Sequence, residues 1–314
     1  MTVVRAWDAL PSPLRAALAA GGTVVTPNKR LARRLAGIYD EVQRVAGHRV
    51  WGTPVVVPWS GWLERLWLDV LASDGLSALP RLVTSAQSAY LWKRIVSAEG
   101  LPLIDENGAA ALCADAWSLV HAWGTGAPSW RAWAGGDDDC AAFARWAENY
   151  TEQIAAASGL DVAQLPDWLA RCAPVVKCWR DARVMLAGFV EMAPQQERLV
   201  VALGAAGLAI ARCATVRDTV GPTWRATRAT PRDEVIRALQ WARDRALADS
   251  GASIGVAIED FASRREEVRA LAEEILCPSL QWPGHEAASR PYNLSLGYRR
   301  QWVRAVGCML KAAE

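Results

Sequence analysis

Short apolar runs alternate with long amphipathic ones along this chain. Residues 22–27 (GTVVTP) are β-branched and bounded by Gly and Pro, which predicts a short buried strand. A helix is expected from Asn28, which can cap it. Leu31, Leu35, Ile38, Val42 and Val45 then recur every three or four positions and share one helical face. A second strand–helix unit follows, with TPVVVP (53–58) as strand and WSGWLERLWLDVLA (59–72) as helix.

From about 84 to 180 the signals become almost purely helical. SAQSAYLWKRIVSAEG, ALCADAWSLVHAWG and CAAFARWAENYTEQIAAASG each carry an apolar stripe and end near Gly, and GAPSW, GGDDD and QLPDW mark breaks. This predicts a large helical insertion. Alternation then resumes: ARVMLAGF (182–189) reads as a strand, PQQERLVVALGAAG (194–207) as a helix and LAIARCAT (208–215) as a strand. The polar stretch 216–229 is the expected domain linker. Beyond it, Thr230 to Asp233 has capping-box spacing for a helix, SIGVAIEDF (253–261) reads as a strand, Ser263 and Glu266 suggest another capping box, and YNLSLG (292–297) suggests a further strand. Strands alternating with helices predict an α/β fold with a parallel sheet covered on both faces.

Composition narrows the class. The 314 residues predict about two domains. A formal charge of +2 excludes a polybasic binder but leaves room for a local basic patch. Seven cysteines (Cys113, Cys140, Cys172, Cys178, Cys213, Cys277 and Cys308) form no C-x-x-C, and only His48, His121 and His285 could add imidazole. That argues for reduced thiols, against ordinary zinc spacing and for no bound cofactor. Asp8, Pro11 and Pro13 interrupt any signal-peptide core, and the longest apolar run, Leu199 to Ile210, is too short to span a bilayer. A soluble cytoplasmic protein with no membrane partner is expected.

The strongest chemical candidate is TPNKRLARRL (26–35). It puts Lys29, Arg30, Arg33 and Arg34 into the first two turns of a helix, where positive charge opposes the helix dipole by ~0.3–1 kcal/mol per charge. Arg30 and Arg34 are also a like-charge i, i+4 pair. Two readings stand: a solvated face with partners elsewhere in the fold, or an anion site whose phosphate relieves the repulsion. A P-loop is excluded here. Asn28 stands where Gly must precede Lys, Pro27 removes an N–H, and Arg30 replaces the magnesium-binding hydroxyl. The strand ending in Gly188-Phe189-Val190-Glu191 lacks the Asp-Glu pair of a nucleotide hydrolase, so it reads instead as a junction positioning Gln195 and Gln196. Asp167 has no (D/E)-x-K partner, because Val175 stands two residues before Lys177, so a PD-(D/E)XK magnesium site is absent. No enzymatic activity is expected. Most of the 17 tryptophans, at helical spacing, are expected in the core; exposed ones could stack on unpaired bases.

Taken together, these segments resemble a known family. TPNKRLARRLAGIYDEVQ after a strand resembles the early motif of superfamily-one, UvrD-like helicases, and is especially similar to AddB-like repair subunits. AGFVEMAPQQERLVVAL resembles their GF-x-x-(F/L)-T-P-x-Q segment, with Met192-Ala193 in place of Leu-Thr. The tail from Glu234 to Pro278, with YNLSLG, resembles the start of a second motor-like domain. The order is similar to that of bacterial "probable DNA repair proteins", which join a degenerate helicase-like half to a C-terminal PD-(D/E)XK nuclease. The resemblance implies a RecA-like (P-loop NTPase-like) domain over 1–220, with its insertion at about 84–180, and the start of a second α/β domain over 221–314. The nuclease domain would be missing, as in a fragment or truncated relative. It further implies DNA contact, single-stranded rather than double-stranded, at Thr26, Asn28, Lys29, Arg30 and Arg33, with Arg34 beside them. A helicase or nuclease subunit would be a further partner. An assembly platform without DNA contact is the other function open at this stage, and an enzyme completed only by a missing C-terminal region is a third.

Overall fold

In a computed structural model, residues 6–73, 79–100, 102–124, 137–180, 182–214, 223–249, 252, 254–281 and 290–294 are described. The chain divides into two compact units, Met1–Asp218 and Thr219–Glu314.

The first unit is built on four parallel strands: β1 (Thr23–Thr26), β2 (Val55–Pro58), β5 (Arg183–Ala187) and β6 (Ala209–Cys213). Their order is β2-β1-β5-β6. Successive side chains of a strand point to opposite faces, and both faces here are apolar. Val24, Met185 and Ala187 face helices α1 (Ser12–Ala19) and α2 (Lys29–Val45), meeting Leu14, Leu18, Leu35 and Tyr39. Val25, Val184 and Leu186 face the other layer. There they pack with Trp62 and Leu66 of α3 (Trp59–Leu71).

Between α3 and β5 lies the helical region that the periodicity predicts. It contains α4 (Ser85–Ala98), α5 (Glu106–Trp123), α6 (Asp138–Ala156) and α7 (Leu165–Cys172). A two-residue parallel ladder between β3 (Arg81–Leu82) and β4 (Gly159–Leu160) also forms there, too short to leave a sequence signal. Helix α8 (Pro194–Ala205) links β5 to β6, and its Leu199 and Leu203 join Leu165 and Leu169 of α7 in the second layer.

Asn28 caps α2, its Oδ1 accepting from the Leu31 N–H at 2.9 Å. Asn28→Ala is expected to lower stability by about 1 kcal/mol, read from urea unfolding of the two proteins. The predicted apolar face of α2 is buried at Leu35 and Ile38, but Val45 is exposed. A helix of 17 residues is ~26 Å long and outruns strands of only ~13 Å.

In the second unit, α9 (Pro231–Ala248) packs on α10 (Arg265–Leu276) through Val235, Leu239, Val268, Leu271 and Ala272. Thr230 caps α9, accepting from the Asp233 N–H at 3.1 Å. Three expectations change here. No strand forms at 254–261 or at 292–294. Ile258, Phe261, Tyr292 and Leu294 instead pack against the helix pair, and the described residues offer no neighbouring strand to complete a ladder. Ser263 does not cap α10: its hydroxyl donates to the Asp260 carbonyl at 2.8 Å, and Arg264 precedes the first turn. Half of the expected linker (216–222) and residues 295–314, Cys308 among them, lie outside the described residues.

Candidate nucleic-acid interface

All four long strands run the same way, so Thr26, Pro58, Ala187 and Cys213 end at one edge of the sheet. From β1 the chain moves to β2 on one side, then returns to β5 on the other. The connections leaving β1 and β5 therefore diverge, and this is the topological switch point at which open α/β sheets bind ligands. The basic helix start opens from this position, because α2 begins three residues after β1 ends.

The predicted residues separate into two groups. Lys29, Arg30, Arg33 and Arg34 are all exposed within two turns of α2. Lys29, Arg33 and Arg34 make no ion pair with a described carboxylate, whereas Arg44, at the far end of the helix, pairs with Glu41. Thr26 is fully buried. Its Oγ1 donates to the Asn28 carbonyl at 2.9 Å and lies 3.4 Å from that of Val57, so it ties the loop to β2 and offers no surface to a ligand. Asn28 is half-buried and spends its side-chain oxygen on the helix cap. The two polar residues thus build the turn that presents the four cations.

The chain matches no family model and no curated protein.

The other side of the switch point carries no acidic pair. Gly188 turns the chain out of β5 with φ +81°, and its N–H donates to the Cys213 carbonyl at 3.0 Å. Val190 and Glu191 follow, both exposed. The two glutamines are structural. Gln196 Oε1 accepts from the Ala193 N–H at 3.0 Å, and buried Gln195 donates from Nε2 to the Ala163 carbonyl and to Asp167 Oδ2, both at 2.8 Å. Asp167 also receives Arg198 Nε at 2.9 Å, while Arg198 Nη1 reaches the Gly124 carbonyl at 2.9 Å. Burial pushes the Asp167 carboxyl up, but the hydrogen bonds from Arg198 and Gln195 and the Arg198 charge outweigh it and hold it below its usual value.

Most of the described tryptophans are core residues, as their spacing predicts. Trp92 and Tyr150 stack at 4.1 Å between centroids, and Trp117 meets both edge-on. Buried Asp161 organises this cluster. It accepts from Trp117 Nε1 at 3.2 Å, Tyr150 Oη at 2.6 Å and the Ala163 N–H at 2.8 Å. Nothing in GLDVAQLPDW marks Asp161 as buried, because its partners stand 44 and 11 residues away. Trp130, Trp133 and His285 lie outside the described residues.

His121 sits edge-on to Trp117 at 4.4 Å. Burial pushes its imidazole below the ordinary value of 6.5, against the pull of Asp161 and Asp167. The sign of the pH effect follows. Below about 6.5 the unfolded chain takes up a proton that the folded chain resists, so stability falls as pH drops through that value. Urea unfolding at pH 7.5 and pH 5.5 is expected to show this loss, and His121→Phe is expected to flatten that part of the pH dependence.

Among the described residues, no group of three or more His, Cys, Asp or Glu is placed to hold a metal ion, and no helix is long and apolar enough to cross a membrane. A groove lined by Arg180, Ala202, Ala205, Ala206 and Gly207 lies beside the residues leading into β5 and β6, at the sheet edge opposite the basic helix start.

Proposed function

We propose that this chain is a catalytically silent, helicase-like DNA-binding module of a repair or recombination nuclease. Its first unit would be a degenerate RecA-like domain, and the start of α2 would hold single-stranded DNA. The observation that carries this reading is the exposed cluster Lys29, Arg30, Arg33 and Arg34, raised at the sheet's switch point by a buried Thr26 and a capping Asn28. Phosphates suit this position physically. They neutralise exposed cations such as Lys29, Arg33 and Arg34, whose charge opposes the helix dipole, and they approach the N-terminal end of a helix. The resemblance of TPNKRLARRL and GFVEMAPQQ to AddB-like subunits supports the same assignment, and the missing P-loop and acidic pair support catalytic silence.

Binding of this kind reads the backbone and is strongly salt-dependent, with little sequence preference. The test is fluorescence anisotropy of labelled single- and double-stranded oligonucleotides over a salt series, with the Arg30→Glu/Arg33→Glu variant beside the parent. Binding that weakens steeply with salt and disappears in the variant supports the reading. No binding at low salt overturns it and leaves an assembly platform within a repair complex.

A further inference from the structure

The second unit carries an aromatic–basic surface of its own. On α9, Val235, Leu239 and Ala242 are buried, which turns Arg237, Trp241 and Arg245 together onto the solvent side. These three stand at i−4, i and i+4, so they form one row along the helix, about 12 Å from end to end. Trp241 is 53 % exposed, against 9 % or less for Trp59, Trp62, Trp92 and Trp117.

The arginines beside it are distinctive too. Arg232, Arg264, Arg269 and Arg290 of the same unit each pair with a glutamate at 2.9–3.6 Å. Arg237 and Arg245 pair with no described carboxylate, and the nearby Asp244 is held by Arg243 at 3.2 Å. The acids in line with the row stand beyond its two ends. Asp233 accepts from the Thr230 hydroxyl at 2.8 Å, and Asp249 follows the last turn of α9. A second exposed tryptophan, Trp224 at 87 %, also lies in this unit and is followed by Arg225 and Arg228, which are exposed.

A flat aromatic face between two such guanidiniums matches one chemistry well: an unpaired base with a phosphate on each side. Such a segment engages all three side chains at once, the indole by stacking and the guanidiniums by charge, and the sedimentation measurement below separates it from a protein partner. We propose that the Arg237–Trp241–Arg245 face of α9 is a second contact for single-stranded DNA, with a base stacked on Trp241 and backbone phosphates on the two arginines. The proposal rests on the DNA-binding reading for its choice of ligand, but not on the α2 site.

The experiment compares the full chain with Trp241→Ala, Trp241→Phe, Arg237→Gln/Arg245→Gln and Arg30→Glu/Arg33→Glu. Each is titrated into a labelled oligothymidylate and into a strand of equal length made of abasic spacers. Trp241→Ala is expected to weaken oligothymidylate binding about tenfold and to leave abasic binding unchanged, with Trp241→Phe retaining most of the affinity. Arg237→Gln/Arg245→Gln is expected to weaken binding to both strands and to flatten the salt dependence by about 0.7 for each phosphate no longer neutralised. Photo-crosslinking with 5-iododeoxyuridine is expected to label the tryptic peptide 238–243, which contains Trp241. Trp241 is on the surface, so unchanged melting of its variants guards against misfolding.

Three results overturn the proposal. If Trp241→Ala binds oligothymidylate like the parent while Arg30→Glu/Arg33→Glu does not bind, the α9 face falls and the DNA-binding reading stands. If the parent binds neither strand, both fall. If Trp241→Ala changes only sedimentation, from dimer to monomer, the face joins two copies of the chain and not DNA.

Discussion

Reversing Arg30 and Arg33 to glutamate is expected to lower affinity for single-stranded DNA about 100-fold or more at ~50 mM salt, because two phosphates then face carboxylates in place of guanidiniums. The slope of log affinity against log salt should flatten by about 1.4, at ~0.7 per phosphate on a single strand. The variant should fold at least as well as the parent. Acidic side chains in the first turns complement the helix dipole, each by ~0.3–1 kcal/mol, where the arginines oppose it. Abolished binding with unchanged or raised melting temperature would therefore report direct contact and not collapse. The control is Arg44→Glu. It lies on the same helix but at the far end, where the native residue pairs with Glu41. A fall limited to Arg30→Glu/Arg33→Glu localises the site. An equal fall in both variants would mean that only bulk charge matters and would defeat the assignment to the helix start.

Removing the Asp161 carboxylate is expected to give the largest drop in stability in the first unit. Asp161→Ala takes this acceptor from buried Trp117 Nε1 and from the half-buried Ala163 N–H, and leaves Tyr150 Oη with Ser88 Oγ at 2.8 Å as its remaining partner. Leaving a buried neutral donor without its acceptor costs ~1–3 kcal/mol for each such group. For a unit of this size that corresponds to a fall in melting temperature of roughly 2–4 °C per kcal/mol. Asp161→Asn keeps the shape and one acceptor, so about half of that drop is expected. Calorimetry of the three proteins checks this order. A change of less than ~1 kcal/mol in Asp161→Ala would show that the network adds nothing beyond packing. DNA affinity measured below the melting transition should not change in either variant, because the cluster lies inside the helical region and the α2 cations lie at the sheet edge.

The α/β class was legible because strand and helix leave different periods. GTVVTP, TPVVVP and ARVMLAGF each became a parallel strand within one or two residues of its expected bounds. Asn28 was legible as a cap for the same local reason: its effect reaches only to Leu31. The 253–261 segment misled because β-branched residues make a strand only where a neighbouring strand is present; here Ile258 and Phe261 meet helices α9 and α10 instead, and Val256 is exposed. Ser263 misled because its hydroxyl found the Asp260 carbonyl before it could serve the helix. In the basic segment, residue type showed four misplaced charges but could not separate Thr26, which is buried, from Lys29, Arg30, Arg33 and Arg34, which are exposed.

What the amino-acid order determined by itself is therefore local: where elements start, which face of each is apolar, and where charge opposes a helix dipole. Those follow from interactions within a few residues. Tertiary structure alone decided that β1 lies between β2 and β5, which puts the charged helix start at the switch point. It alone joined Asp161 to Trp117 and Tyr150, and it alone left Trp241 in water while Trp92 was sealed. Each of these depends on segments far apart in sequence, and no periodicity of a single segment encodes which distant surface it will meet.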